Sequence, residues 1–363
     1  MTRAYNFGAG PAMIPTSVME SIRDEFLDYQ GTGCSIIELS HRGDAFLEVI
    51  YRAEVLFREL AGVPKNYKVL LVHGGATQQF SAIPLNLLGR KPARKAQYVR
   101  TGVFAKKAEK EAQRYGKIEV LANGEPLGFK VLPEIDPELI SRDSSYVYMT
   151  SNNTIYGSQW QQFPDTGEVP LVIDATSEML SRVLDYSKFG LIYGGLQKNL
   201  GPSGMAVVCI REDLLGYADA ITPTLLNYET YAQEKNLINT TNTFAVYVLK
   251  KILEWLKAQG GVGAIEKVNQ CKAKCLYEVV DRSSLYLGVI KDPRHRSIMN
   301  VTFNLAKPEL EEKFCRLAKE RNLVALEGHR SVGGFRASIY NAMPMEGVLA
   351  LAEFMQDFEQ KES

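Results

Sequence analysis

Short apolar runs at 69–72, 97–100, 145–150, 170–174, 191–193 and 205–210 are interspersed with stretches of helical spacing at 78–88 and 105–115. Each run is bounded by Gly, Pro or polar residues and is too short for a helix, so each reads as a buried strand. Strands alternating with helices leave few topologies open. They predict an α/β fold with a mostly parallel sheet, helices over both faces and a ligand site at the strand ends. At 363 residues, 45% of them hydrophobic, the chain can bury a large core and is long enough for two domains.

The last two runs enclose the turn Gly194-Gly-Leu-Gln-Lys198-Asn-Leu-Gly-Pro-Ser-Gly204, which sets an amine at a strand end. A lysine partly desolvated there has its ammonium disfavoured, so it can be the free amine that condenses with an aldehyde. Upstream, the run 170–174 ends in Asp174, a carboxylate that is unfavourable there without a partner. Pyridoxal phosphate would supply one, because an Asp facing its ring nitrogen keeps that nitrogen protonated while a Lys holds its aldehyde carbon. Taken singly, Asp174 reads equally well as a helix cap or turn, and Lys198 as a surface turn.

Residues 1–15 carry Gly8, Gly10, Pro11 and Pro15 and predict an irregular segment that closes a site rather than an element of its own. Helical spacing starts near Thr16 with a hydroxyl cap, and 45–60 predicts an amphipathic helix. On the loop between them, His41 and Arg42 are either a solvated turn or a grip for phosphate or carboxylate. His73-Gly-Gly-Ala76-Thr77 turns from strand to helix and offers backbone N–H groups to a phosphate. His73 itself reads as a structural, hydrogen-bonded histidine. Phe104, at a helix start, is either a core aromatic or a ring that stacks on a ligand. Thr154, in the polar stretch 151–157, is a turn former or a ligand. Asn239-Thr240-Thr241 predicts the N-cap of a helix over 244–256.

Beyond Gly260-Gly261 the pattern changes to a smaller α+β domain. Strands are expected over 298–305 and 337–340, with helices around 308–321 and 346–358. His329, Arg330 and Arg336 fall in a glycine-rich stretch before the last strand. Together with Arg42 they suit a small acidic substrate.

Lys plus Arg and Asp plus Glu both number 42, so no basic field exists for nucleic acid or a membrane surface. No run reaches membrane-spanning length and no apolar leader is expected at the N-terminus. Five scattered cysteines suggest no disulfide framework and a reducing compartment, which predicts the cytoplasm. Cys271 and Cys275, without a second Cys or His pair at matching spacing, predict core thiols and no metal site.

In spelling and order, Asp174-Ala-Thr-Ser177 followed by the turn 194–204 closely resembles the phosphoserine aminotransferases, fold-type I pyridoxal-phosphate enzymes. The resemblance covers almost the whole chain. It includes Asn6-Phe-Gly-Ala-Gly-Pro-Ala12-Met13, Ser40-His-Arg-Gly43, His73-Gly-Gly75, Asn239-Thr240 and Gly328-His-Arg-Ser-Val-Gly-Gly-Phe-Arg-Ala-Ser-Ile-Tyr-Asn-Ala-Met-Pro344. It implies a large cofactor domain over 16–260, a small C-terminal domain over 261–363 and a segment 1–15 packed near the small domain. It also implies pyridoxal 5'-phosphate held by Ala76, Thr77, Phe104, Thr154, Asp174, Gln197 and Lys198. Asn239 and Thr240 would reach the cofactor phosphate of the other subunit in a homodimer with shared active sites.

The implied reaction is amino transfer between L-glutamate and 3-phosphohydroxypyruvate, giving O-phospho-L-serine and 2-oxoglutarate in serine biosynthesis. Some members also act on 4-phosphohydroxy-L-threonine in pyridoxine and pyridoxal phosphate synthesis. In that scheme Lys198 is the catalytic amine and Asp174 keeps the cofactor ring protonated. Arg336 would grip the substrate α-carboxylate, and His41, Arg42, His329 and Arg330 the phosphate or the glutamate side chain. This chain has Phe104 where the family usually has Trp, and Asp44 where some members have a basic residue. Two rivals stand beside it: another fold-type I enzyme acting on a different small acidic substrate, which would keep Lys198 and Asp174, and a non-catalytic cofactor-binding protein, against which the intact Lys198 and Asp174 argue.

Overall fold

The computed structural model describes residues 3–362. Met1, Thr2 and Ser363, which belong to the expected terminal segment and C-terminal domain, lie outside the described residues. The chain begins with β1 (Tyr5–Asn6), α1 (Thr16–Glu25), α2 (Asp44–Ala61), β2 (Tyr67–His73) and α3 (Gly75–Leu87). Next come β3 (Lys95–Arg100), α4 (Val103–Ala112), β4 (Lys117–Asn123), β5 (Ser144–Thr150), β6 (Leu171–Asp174), β7 (Leu191–Gly195) and β8 (Met205–Arg211). Three helices follow: α5 (Tyr228–Gln233), α6 (Thr243–Ala258) and α7 (Val262–Arg282). The chain ends with β9 (Tyr286–Gly288), β10 (Asn300–Leu305), α8 (Glu311–Glu320), β11 (Leu323–Val324), β12 (Phe335–Ser338) and α9 (Met345–Glu362).

Seven strands form one sheet in the order β2-β8-β7-β6-β5-β3-β4. Among the described residues β8 runs antiparallel to both neighbours and the other pairings are parallel, so the sheet is mostly parallel as expected. Alternate residues of each strand go to opposite faces. Val69, Leu71, Met149 and Ile173 pack with α2 and α6, while Leu70, Val72, Tyr148 and Val172 pack with α3 and α4. Covering both faces is what lets these strands be apolar throughout. Helix α2 buries Phe46, Val49, Ile50, Ala53, Leu56 and Phe57 at helical spacing and stops at Gly62, whose φ is 63°, a left-handed end that glycine allows.

A second core lies around the antiparallel sheet β9-β10-β12, where Phe303, Phe314 and Phe335 pack with α7 and α9 residues such as Leu276 and Phe354. Helix α7 passes from one core to the other: Val262 and Ile265 belong to the first, Ala273, Leu276 and Val280 to the second. At the N-terminal end β1 pairs with β11 and Phe7 is buried in the second core. The segment expected to lack its own element therefore contains a short strand, because a parallel partner satisfies its backbone.

Local differences from the sequence reading have simple causes. Thr16 is the first helical residue, not the cap: Pro15 precedes it without a capping side chain, and Thr16 Oγ1 accepts from Arg3 at 2.8 Å. The cap of α6 is Asn242, whose side chain accepts from the Ala245 N–H at 3.0 Å, rather than Asn239-Thr240-Thr241. Strand β12 ends at Ser338, before the Tyr340 of the expected range. Cys271 is exposed and Cys275 half-buried, since the buried stripe of α7 runs through Ile265, Asn269, Lys272, Ala273 and Leu276. Among the described residues no group of His, Cys, Asp or Glu could hold a metal, and no helix is long and apolar enough to cross a membrane.

Candidate active site

The carboxyl ends of β2, β5, β6 and β7 and the start of α4 converge on one cavity. Ala76, Thr77, Phe104 and Thr154 line it together with Asp174, Gln197 and Lys198. Strand order explains the meeting: β5, β6 and β7 are adjacent and parallel, so Thr150, Asp174 and the turn after Gly195 emerge side by side.

Lys198 Nζ donates to Thr154 Oγ1 and lies 5.8 Å from the centre of the Phe104 ring. Burial pushes the Lys198 amine down to about 7, opposed by the Asp174 charge and reinforced by Arg336. The N-terminal segment closes over this turn, with the Ala12 N–H donating to the Gln197 carbonyl at 2.8 Å. Asp174 is buried, which pushes its carboxyl up, while hydrogen bonds from Thr176 and Tyr193 work against that push. The Thr176 N–H donates to Asp174 Oδ1 at 3.0 Å.

Helix α3 starts at this cavity with no capping side chain behind Gly74. Gly74 and Gly75 have φ of 79° and 65°, left-handed values that glycine adopts without strain, and the turn leaves the first N–H groups of α3 free to meet an anion. Thr150 Oγ1, Gln197 Oε1 and Arg336 Nε are buried without a hydrogen-bond partner. Buried polar atoms in this state call for a polar ligand. An amine, a carboxylate, an uncapped helix start and an aromatic ring around one cavity fit a group that carries an aldehyde, a ring nitrogen and a phosphate.

Arg336 joins the edge of the site, with Nη1 3.5 Å from the Thr154 carbonyl. The other sequence-derived residues do not line this cavity within one chain. Arg42 is exposed and bonds to His41 Nε2 at 3.2 Å. His329 and Arg330 are exposed on the turn before β12. Partial burial and the charges of Arg336, Lys107 and Arg330 hold the His329 pKa down. Thr240 is exposed and Asn239 half-buried. Burial lowers the His73 pKa, opposed by a hydrogen bond with the Asn239 side chain.

Sequence reasoning missed Thr176, Asn152 and Lys107. Thr176 could have been found, because an Asp followed two residues later by a free N–H is a local turn signature. Lys107 stands three residues after Phe104 on α4, with Nζ 5.5 Å from that ring, as same-face helical spacing allows. Asn152 bonds to Ser177 Oγ at 2.7 Å and to Asn300 Oδ1 at 2.8 Å, a long-range contact with no local signal.

A family model described as Aminotransferase class-V matches residues 4–351. The chain is 49% identical over 359 residues to a phosphoserine aminotransferase of Bacillus cereus, covering 99% of each. Its fold superimposes on the solved phosphoserine aminotransferase of Bacillus circulans subsp. alkalophilus with a TM-score of 0.95, 44% identity and 99% of each chain covered. The pyridoxal-phosphate-bound phosphoserine aminotransferase of Trichomonas vaginalis gives a TM-score of 0.89 at 36% identity, covering 98% of this chain and 100% of that one. With the amine, carboxylate and anion-ready helix start gathered at the strand ends of this fold, the chain belongs to the phosphoserine aminotransferases, within the class-V aminotransferase family.

Proposed function

We propose that this chain transfers an amino group between L-glutamate and 3-phosphohydroxypyruvate, giving O-phospho-L-serine and 2-oxoglutarate, with pyridoxal 5'-phosphate as cofactor. The observation that carries the reading is Lys198: an amine brought down to about 7, next to a buried carboxylate, at the parallel-strand ends. When bound, the cofactor supplies an aldehyde that accepts the amino group and a protonated ring that draws electron density from the substrate.

Lys198 Nζ would hold the cofactor aldehyde and would serve as the acid and base at the substrate Cα, a task suited to an amine that burial brings down to about 7. Asp174 would keep the cofactor's ring nitrogen protonated. Ala76, Thr77 and Gln197 would hold its phosphate, and Thr154 and Phe104 would hold its ring. Arg336 takes the substrate α-carboxylate, since its guanidinium lies beside the Lys198 turn and offers a planar fork. His41, Arg42, His329 and Arg330 take the phosphate or the distal carboxylate of the substrates.

Asn239 and Thr240, away from this cavity, bind the cofactor phosphate of a second copy, so the working unit is a homodimer with shared sites. A two-fold assembly is the commonest way for such a site to be completed. A cytoplasmic location belongs to the same reading, supported by five cysteines that are all free thiols. The test is the visible absorbance of the cofactor-loaded protein. L-glutamate should bleach the cofactor band and 3-phosphohydroxypyruvate should restore it; a band indifferent to both would sink the proposal.

A further inference from the structure

Lys272, at the middle of α7, is completely buried, and burial alone pushes its amine down to about 7. It stands at the seam between the two cores. Its Nζ donates to three main-chain carbonyls, those of Ile339 at 3.0 Å, Tyr340 at 2.8 Å and Met343 at 3.1 Å. All three belong to the turn that follows β12, the strand carrying Arg336. Three acceptors need three N–H donors, which the ammonium has and the neutral amine lacks, so the carbonyl cage works against the effect of burial.

The turn held in this way touches the N-terminal segment, the Lys198 turn and the segment after Asp174. Tyr340 donates its hydroxyl to the Ala9 carbonyl of the N-terminal segment at 2.9 Å. The Asn341 N–H donates to Asn199 Oδ1, next to Lys198, at 3.0 Å, and Asn341 Nδ2 donates to the Leu180 carbonyl at 2.9 Å. From α7, Asn269 donates to Asn341 Oδ1 at 2.8 Å and to the Ser181 carbonyl at 2.9 Å. One face of one helix thus fixes the Arg336 strand against the Lys198 turn and the segment after Asp174.

We propose that Lys272 is a positioning residue whose buried ammonium acts as an internal cation, gathering the 339–343 turn and so setting Arg336 relative to Lys198 for substrate binding. The inference rests on Arg336 being the substrate-carboxylate ligand. A shift of about an ångström in such a ligand weakens productive binding by roughly ten- to a hundredfold. The cage should also accept a small free cation when the lysine chain is cut back, but not when an uncharged chain fills it.

The experiment compares holoenzyme carrying Lys272→Ala or Lys272→Met with wild type. It measures the dissociation constant of glutarate by calorimetry and KM and kcat for L-glutamate and 3-phosphohydroxypyruvate. Both variants should raise the glutarate constant and KM about tenfold or more with a smaller change in kcat. Methylammonium chloride should restore most of the loss in Lys272→Ala and none in Lys272→Met, with tetramethylammonium chloride at equal ionic strength as the control. A folded Lys272→Met with a lowered melting temperature but unchanged binding would overturn the inference. So would a loss in Lys272→Ala that methylammonium leaves in place. If neither variant folds, Asn341→Ala, which cuts the side-chain links of the turn to the Leu180 carbonyl and to Asn269, should raise the same constants, and its failure to do so would overturn the inference as well. Wild-type protein without amino transfer would instead sink the functional reading, and this inference with it.

Discussion

Asp174 and Tyr193 are in register across the parallel strands β6 and β7, and the Tyr193 hydroxyl, which hydrogen-bonds toward the Asp174 carboxylate, is 2.8 Å from the hydroxyl of Tyr148. Both tyrosines are fully buried and belong to the core under α3 and α4. The carboxylate at the base of the site therefore rests on a buried pair of hydroxyls, which favours its ionised form against burial.

Tyr193→Phe should remove that donor and push the Asp174 carboxyl further up. Because the site needs Asp174 ionised, the acid limb of kcat/KM should move to higher pH. The alkaline limb should stay in place. A pH profile with an unmoved acid limb would refute the link.

Lys198→Met should separate stability from activity. The folded pKa of Lys198 lies near 7, below its ordinary 10.5, so between those values the unfolded chain binds the extra proton. Cofactor-free protein therefore gains stability as pH rises through that window, and the destabilisation is complete below about pH 7. Met keeps the apolar stem and removes the amine. The cofactor-free variant should melt a few degrees higher than wild type at neutral pH, while amino transfer falls by at least 10²- to 10⁴-fold, the order of general acid–base catalysis. Thermal melts and turnover on the same samples check both halves.

Gly74→Ala should weaken the anion-binding helix start. At φ 79° an added Cβ would fall 1.4 Å from Gln78 Oε1 and 2.7 Å from Gln78 Cβ. The left-handed backbone alone costs about 1–2 kcal/mol, and the clash displaces the first turn of α3. Gly62→Ala is the control, since its φ is 63° but nothing lies within 4 Å of the added Cβ. Both should lower the melting temperature, and Gly74→Ala alone should also lower affinity for pyridoxal phosphate, measured by fluorescence titration.

Arg182→Ala should be strongly destabilising. Arg182 Nε donates to Glu178 Oε2 at 2.8 Å, with side-chain exposures of 8% and 0%, and its Nη2 donates to the Trp160 carbonyl at 2.6 Å. Removing the arginine leaves Glu178 buried without its counter-charge, a loss of about 3–5 kcal/mol. The double variant Glu178→Leu, Arg182→Met should recover most of it in urea titrations. A single variant as stable as wild type would show the pair to be energetically neutral.

The sequence by itself determined the sheet, because apolar runs of strand length broken by helical spacing admit little besides a parallel, doubly covered architecture. It also determined the places of Lys198 and Asp174, each fixed by its own strand end within a few residues of chain. Ala76, Thr77, Phe104, Thr154 and Gln197 were marked by the resemblance of their motifs to the phosphoserine aminotransferases, because a strand turning into a loop or helix is common and does not by itself show what it binds. What needed tertiary structure were relationships between distant segments. The Lys272 cage depends on carbonyls 67 to 71 residues away, and carbonyls belong to every residue, so no side-chain pattern marks them. The α6 cap fell to Asn242 rather than Asn239 because capping depends on where the first turn is wound, which neighbouring polar residues leave ambiguous. Likewise Arg336 sits beside Lys198 while His41 and Arg42 stay outside the cavity, since loop positions are set by the packing of the elements that carry them and leave no periodic trace in the chain.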